Sequence, residues 1–444
     1  MGIILLFIEG FIGLTLQSMF FRQLSPETGT SSPVIAIIIG FFLGALSLGY
    51  AFGGKERKFP LKTFAYNLIF TGILSGIALS STFISLYFNE MTQLNIPRLL
   101  ALTIYSSVFV SFVAFFMGQS LPLIMQYKTY GKTASNKGGN AMFISTLGST
   151  LGATLPVIYV TPVIGATATV GVTVALCFII GLALLKNIKT TLIILPFIVV
   201  SMATLFTPYL KGNFTSTAFM DIYLEHDADG DRLLFANGLV MSAMDSEGNN
   251  TVAYIDKFHH EIKRQKIKDS EILVLGAGAF MAHLGDESNN HYTYIDIDEN
   301  LLTWARENFG LKDDKISFIV DDARSYMNSL KDNSVKVILL DVYGSRYSLP
   351  EHLLTKEFFE VLRSKLENNG VLMFNAIYDP QFKTKLSRTL HNTVNSVFPY
   401  CHTSQVTDEL KIANMDYTCF AIKGTESEVY LDDTRDVKGG PWGF

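Results

Sequence analysis

Three acids fall at the ends of apolar, strand-like runs in the second half of this 444-residue chain. Asp296 follows Tyr292-Thr-Tyr-Ile, Asp322 closely follows Lys315-Ile-Ser-Phe-Ile-Val, and Asp341 follows Val335-Lys-Val-Ile-Leu-Leu. A further run, Glu271-Ile-Leu-Val-Leu, leads into Gly276-Ala-Gly278, with Asp296 twenty residues beyond Gly276. Glycines after a first strand let a backbone approach a nucleotide, and an acid at the end of the second accepts hydrogen bonds from ribose hydroxyls. Each acid taken singly would serve as the N-cap of the next helix. Three on one sheet edge point instead to a ligand crevice.

Those acids need a parallel sheet behind them. Strand runs alternate with helical patterns over 298–309 and 355–367, and Gly370-Val-Leu-Met-Phe-Asn supplies another strand. Strand ends in such a sheet form the binding edge. Phe398-Pro-Tyr-Cys-His-Thr and Tyr417-Thr-Cys-Phe-Ala-Ile read as an antiparallel pair near the end. Two free buried cysteines are the expectation for Cys401 and Cys419; a bridge between them would point to an oxidising compartment. Upstream, 215–250 alternates with turn signals and is expected to form a small antiparallel hairpin unit. Asp227, Asp229 and Asp231 lack the glycine and glutamate spacing of a calcium loop, so they read as a plain turn, and no metal is expected.

The first half was built for another solvent. The chain as a whole is 49% apolar and only 17% charged, with a mean hydropathy of +0.30. Residues 1–210 hold eleven Lys/Arg, four Glu and neither Asp nor His, a formal charge of +7. The remainder holds 24 bases, 36 acids and all eight His, a charge of −12. An acidic soluble half excludes nucleic acid as a partner, since phosphates would be repelled. Seven apolar runs, 2–21, 33–53, 63–88, 99–126, 140–161, 163–185 and 190–208, are each long enough to span a bilayer. The first is read as a retained span rather than a signal peptide. Nine Lys/Arg occupy loops two, four and six, whereas loops one, three and five carry only Arg22 and Arg98. The expected cell-membrane protein therefore has a cytoplasmic N-terminus and, with seven spans, an extracytoplasmic soluble half. Gly40 with Gly44 and Gly148 with Gly152 are expected to let helices pack closely. Glu9, the carboxylate inside a span, would serve a site or pair with Arg22 or a polar neighbour such as Gln17.

Together these stretches resemble the spermidine synthase family, a hairpin domain followed by a nucleoside-binding sheet of the methyltransferase type. Glu9-Gly-Phe-Ile-Gly-Leu-Thr-Leu-Gln with Arg22, Phe42-Leu-Gly-Ala-Leu-Ser-Leu-Gly and Asn140 to Pro162 resemble the membrane-embedded members, in which a transporter-like domain is fused to the synthase. The expected organisation is a membrane domain over 1–210, a hairpin unit over 211–262, a Rossmann-like α/β domain over 263–424 and a polar tail over 425–444. The resemblance implies that Asp296 binds ribose hydroxyls, that Asp322 with Ala323 reads the adenine amino group, and that Asp341 is the general base. Asn237-Gly238 stands where the family has Asp-Gly, Met241 replaces a nucleoside-contacting Gln, and Tyr254, Asp256 and His260 stand where family members line the same pocket.

Two departures bear on substrate. The family acid that holds the amine of decarboxylated S-adenosylmethionine is here Ala279, and the second acid, three residues past the base, is Gly344. An unpaired buried ammonium is costly, so putrescine does not follow from the scaffold. What remains is alkyl transfer, aminopropyl or methyl, from S-adenosylmethionine or its decarboxylated form to an amine or other nucleophile that is a small molecule or lipid-borne. Tyr343, Arg346 and His352 are candidates to shape the acceptor pocket. The alternative is a non-catalytic ligand-binding, scaffold or transport-coupled module. Self-association as a dimer is expected by analogy.

Overall fold

The computed structural model describes residues 2–127, 134–210, 213–227, 229–311, 315–343, 350–398, 400–406 and 413–420. Gly344, Arg346 and the 425–444 tail lie outside them. The chain divides into two compact units, Met1–Ala218 and Phe219–Phe444.

Among the described residues the first unit holds seven helices long and apolar enough to cross a membrane: Gly2–Thr28, Ser32–Gly53, Pro60–Ala78, Arg98–Tyr127, Ser135–Ile164, Ala166–Leu185 and Ile188–Leu210. The expected run over 63–88 is broken. Ser80 accepts the Phe83 N–H at 3.4 Å and donates its own hydroxyl to the Thr204 carbonyl at 2.8 Å. This cap starts a separate helix, Ser81–Gln93. Apolarity on both sides of the cap hid the break from hydropathy.

Gly148 and Gly152 pack as expected. A Cβ on either would stand 2.0 Å from the Phe7 carbonyl oxygen or 2.1 Å from that of Phe11, and Thr15 Oγ1 donates to the Gly152 carbonyl at 2.9 Å. Gly40 and Gly44 do not, for no atom of the described residues lies within 4 Å of a Cβ built there. Helix spacing shows that two glycines share a face, not that a neighbour covers it. Glu9 has a polar neighbour, as expected, though a different one from Gln17. It pairs with neither Arg22 nor Gln17 but accepts the Ser145 hydroxyl at 2.9 Å, while Arg22 donates to the carbonyls of Ala218 and Thr217 at 3.0 and 3.3 Å. Nor is Glu9 the sole carboxylate in a spanning helix, since Glu27 lies in Gly2–Thr28 and forms a buried pair with Arg98 at 3.3 Å.

In the second unit, strands β2 (Asp221–His226), β3 (Arg232–Ala236) and β4 (Leu239–Met244) pair antiparallel; β1 (Phe214–Ser216) belongs to the first unit. The β2–β3 connection is closed by Asp227, whose Oδ1 accepts the N–H groups of Asp229 and Asp231 at 2.9 Å each. The carboxylates there shape a turn.

The remaining strands are β5 (Glu271–Leu275), β6 (His291–Asp296), β7 (Ile316–Val320), β8 (Val335–Leu340), β9 (Leu366–Tyr378), β10 (Tyr400–Gln405) and β11 (Ala413–Phe420). Their order is β10-β11-β9-β8-β5-β6-β7. The five from β9 to β7 run parallel, and β11 and β10 extend the edge antiparallel. This is the expected Rossmann-like α/β sheet of methyltransferase type. Successive strands are added outward in one direction from β5 to β7 and in the other from β8 to β9, so the crevice opens beyond the carboxyl ends of β5 and β8. Cys401 and Cys419 are opposite each other in the β10–β11 register and are joined by a disulfide. Two free thiols were expected because sequence gives pairing but not register.

Candidate active site

The first turn of the site is set by backbone geometry. The Gly276 N–H donates to the Ile295 carbonyl and the Asp341 N–H to the Leu275 carbonyl, both at 2.8 Å. Gly276 thereby passes so close to β8 that a Cβ would lie 2.1 Å from the Asp341 carbonyl oxygen, and its φ is +96°. Only glycine meets both conditions. The loop continues through Gly278, at φ +51°, to the buried Ala279, whose N–H donates to Ser242 Oγ on β4 at 3.0 Å.

Asp296 at the end of β6 faces this loop. Its Oδ2 accepts the Ala277 N–H at 2.9 Å and its Oδ1 the Asp298 N–H at 3.1 Å. Burial pushes its carboxyl up to about 6 despite these donors. Asp322 does two jobs: Oδ1 caps the helix Ala323–Ser329 through the Ser325 N–H at 2.8 Å, and Oδ2 lies 3.2 Å from His352 Nε2. The capping role that one acid would have by default is thus present here alongside a side chain that touches a histidine. Ala323 is buried at the start of that helix.

Asp341 ends β8 under a polar clamp. Tyr254, near the start of helix Ala253–Arg264, donates its hydroxyl to Oδ2. Asn375 on β9 donates Nδ2 to Oδ1 at 2.9 Å. Burial raises the Asp341 carboxyl, and these two donors oppose the rise. The Tyr254 phenol is held well above its ordinary value by burial and by the Asp341 charge, so it stays a donor. Tyr343 donates its hydroxyl to the Asn375 carbonyl at 3.0 Å. The Asn375 amide oxygen is buried and has no partner among the described residues, an acceptor that an incoming amine could fill.

Tyr254 and Asn375 also line a cavity of about 460 Å³ between helix Ala253–Arg264 and the β9–β11–β10 face, with Lys257, His260, His402 and Asp416. That volume suits a small ligand. Asp416, opposite Asn375 in the strand register, is pushed up to about 7 by burial, with Lys257 lowering it and Asp341 raising it. Sequence reading missed Asn375 and Asp416. Their signal was a polar residue within an apolar strand run, which becomes informative only once pairing places both beside Asp341. Asp256 and His260 are exposed on the same helix. Asn237 stands apart from this group, in the β3–β4 turn at φ +49°, with Oδ1 accepting the Asp221 N–H at 3.0 Å.

Asp296 and Asp416 hold protons in the folded chain at pH values where an unfolded Asp has lost them. Between about pH 4 and their raised values the folded state binds more protons, so stability is fully present below about pH 4 and falls as pH rises through 6 to 7. Asp416→Asn is therefore expected to stabilise the unliganded protein at pH 8, by on the order of 1–2 kcal/mol after discounting for partial exposure. At pH 4 it should change little. Thermal unfolding at the two pH values checks this, and equal melting shifts at both would contradict it.

Residues 254–432 match the spermine/spermidine synthase domain, the family that the second half resembles in sequence. A polyamine aminopropyltransferase of Saccharolobus islandicus is 27% identical over 179 residues, covering 37% of this chain and 58% of the relative. Polyamine aminopropyltransferase 2 of Pseudomonas aeruginosa is 23% identical over 207 residues, covering 43% and 56%. The chain thus spans little more than half the length of these curated relatives. Among solved structures, a probable spermidine synthase from Corynebacterium glutamicum is 20% identical, covering 49% of this chain and 81% of that one at a TM-score of 0.41. A spermidine synthase in complex with the transition state analogue AdoDATO is 16% identical, covering 50% and 82% at 0.40.

Proposed function

We propose that the spermine/spermidine synthase domain of this chain transfers an aminopropyl group from decarboxylated S-adenosylmethionine to an amine, with Asp341 as general base. The observation that carries this reading is the Asp341 carboxylate, clamped by Tyr254 and Asn375 beside the Gly276 turn. The amine nitrogen attacks the methylene carbon next to the sulfonium. The carbon–sulfur bond breaks, its electron pair passes to sulfur, and 5′-methylthioadenosine leaves. The proton lost by nitrogen goes to Asp341. A carboxylate whose affinity for protons is raised by burial suits that task near neutral pH. Asp296 would hold the ribose hydroxyls, and Asp322 with Ala323 the adenine edge. Asp416 would offer the cavity a carboxylate toward a cationic acceptor in place of the acid absent at 344.

One observation favours methyl transfer from ordinary S-adenosylmethionine as a second reading: the loop position that would hold the donor's amine is the buried Ala279. The product separates the two, since methyl transfer leaves S-adenosylhomocysteine.

Three observations support an extracytoplasmic soluble half as part of this reading: seven candidate spans, Lys/Arg concentrated in alternate loops, and the Cys401–Cys419 disulfide, a bond characteristic of oxidising compartments. The acceptor would then be a small or lipid-borne amine met at that surface, and the chain would pair as a dimer, which light scattering of the detergent-solubilised protein tests. Fusing alkaline phosphatase and a fluorescent protein in turn after Phe444 checks the topology. Active phosphatase is expected; fluorescence without phosphatase activity would put the domain in the cytoplasm.

A further inference from the structure

Glu9 has no part in the transferase site. It lies seven residues into the helix Gly2–Thr28, roughly 10 Å from its start, and is only 5% exposed. Its side-chain partner among the described residues is one neutral hydroxyl, Ser145 Oγ at 2.9 Å. The two helices meet closely next to it, for a Cβ on Gly10 would stand 2.0 Å from the Ser145 carbonyl oxygen.

Among the described residues no cation is paired with it. Arg22, on the same helix, donates to the carbonyls of Thr217 and Ala218. Arg98 and Glu27 are committed to each other. Lys137 shares a span with Ser145 but sits two turns away. On Ser32–Gly53 the titratable side chain is the neutral phenol of Tyr50. On the other packed elements, Tyr87 and Tyr105 donate to the carbonyls of Ala101 and Ala78, Cys177 is buried, and Glu90 is exposed. The contrast with Glu27 is instructive: it is equally buried but faces a guanidinium. A bare carboxylate with one neutral donor is unfavourable in such surroundings. A metal cation would need several oxygen ligands, and the described residues contain no group of three or more His, Cys, Asp or Glu able to hold one.

We propose that Glu9 with Ser145 is a proton-binding site in the membrane half: Glu9 carries a proton at neutral pH and exchanges it with water. The site would give the first unit a function of its own besides anchoring the transferase. The test is infrared spectroscopy of the full chain in lipid bilayers, comparing wild type with Glu9→Gln, whose amide oxygen keeps the Ser145 contact. A protonated-carboxyl C=O band is expected in wild type at neutral pH and absent in the variant. It should shift in D₂O, and Ser145→Ala should move it to higher frequency as the oxygen loses its donor. As a second readout, dicyclohexylcarbodiimide, which attacks protonated carboxyls in apolar surroundings, should label Glu9 and spare Glu27. Difference spectra showing only carboxylate bands, or a protonated band indifferent to D₂O, would overturn the proposal.

Discussion

Asp341→Asn is expected to lower aminopropyl transfer by about 10²- to 10⁴-fold, the usual contribution of a positioned general base, while the second unit stays folded. The substitution retains an oxygen for the Asn375 Nδ2 donor now at 2.9 Å, and it removes a carboxylate that burial already disfavours in its charged form. Donor binding should survive, because Gly276, Asp296 and Asp322 are untouched. The loss should therefore fall on kcat rather than on donor affinity. Calorimetric titration of the donor, run beside the rate assay, separates the two. Loss of both binding and fold would assign Asp341 a structural role, and an unchanged rate would remove it from the chemistry.

Gly276→Ala should act through the backbone. The added carbon would meet the Asp341 carbonyl oxygen at 2.1 Å on a residue whose φ is +96°, so either the turn leaves its conformation or β5 and β8 separate. Strain of this kind, combined with overpacking, costs roughly 2–5 kcal/mol. The expected result is a markedly lower melting temperature for the second unit, with donor binding and transfer lost together. Gly278→Ala provides the comparison: its Cβ meets Ser242 Oγ at 3.1 Å, a side-chain oxygen, so a smaller loss is expected. Equal stability of the Gly276 variant and wild type would contradict the close approach of the two strands.

Much of this site was legible before any coordinates. The apolar runs gave β5, β6, β7 and β8 nearly residue for residue, and in β5, β6 and β8 the cause is burial on both faces of a parallel sheet, which requires continuous apolar strands. The strand ends then located Gly276, Asp296, Asp322 and Asp341. What remained hidden depends on register or on tertiary neighbours. Asn375 and Asp416 matter because β9 and β11 bring them together beside Asp341. Cys401 and Cys419 matter because the β10–β11 register makes them partners. In the first unit, hydropathy anticipated the seven long apolar helices yet could not tell that Gly148 meets Phe7 whereas Gly40 meets nothing among the described residues. It gave Glu9 a place inside a span but not its Ser145 partner.

The most direct measurement is product analysis of the full-length protein in lipid bilayers, supplied separately with decarboxylated and ordinary S-adenosylmethionine and a panel of primary amines. Formation of 5′-methylthioadenosine with the aminopropylated amine, from the decarboxylated donor alone and lost in Asp341→Asn, is the expected result. S-adenosylhomocysteine from the ordinary donor, or neither product from a folded protein, would contradict aminopropyl transfer.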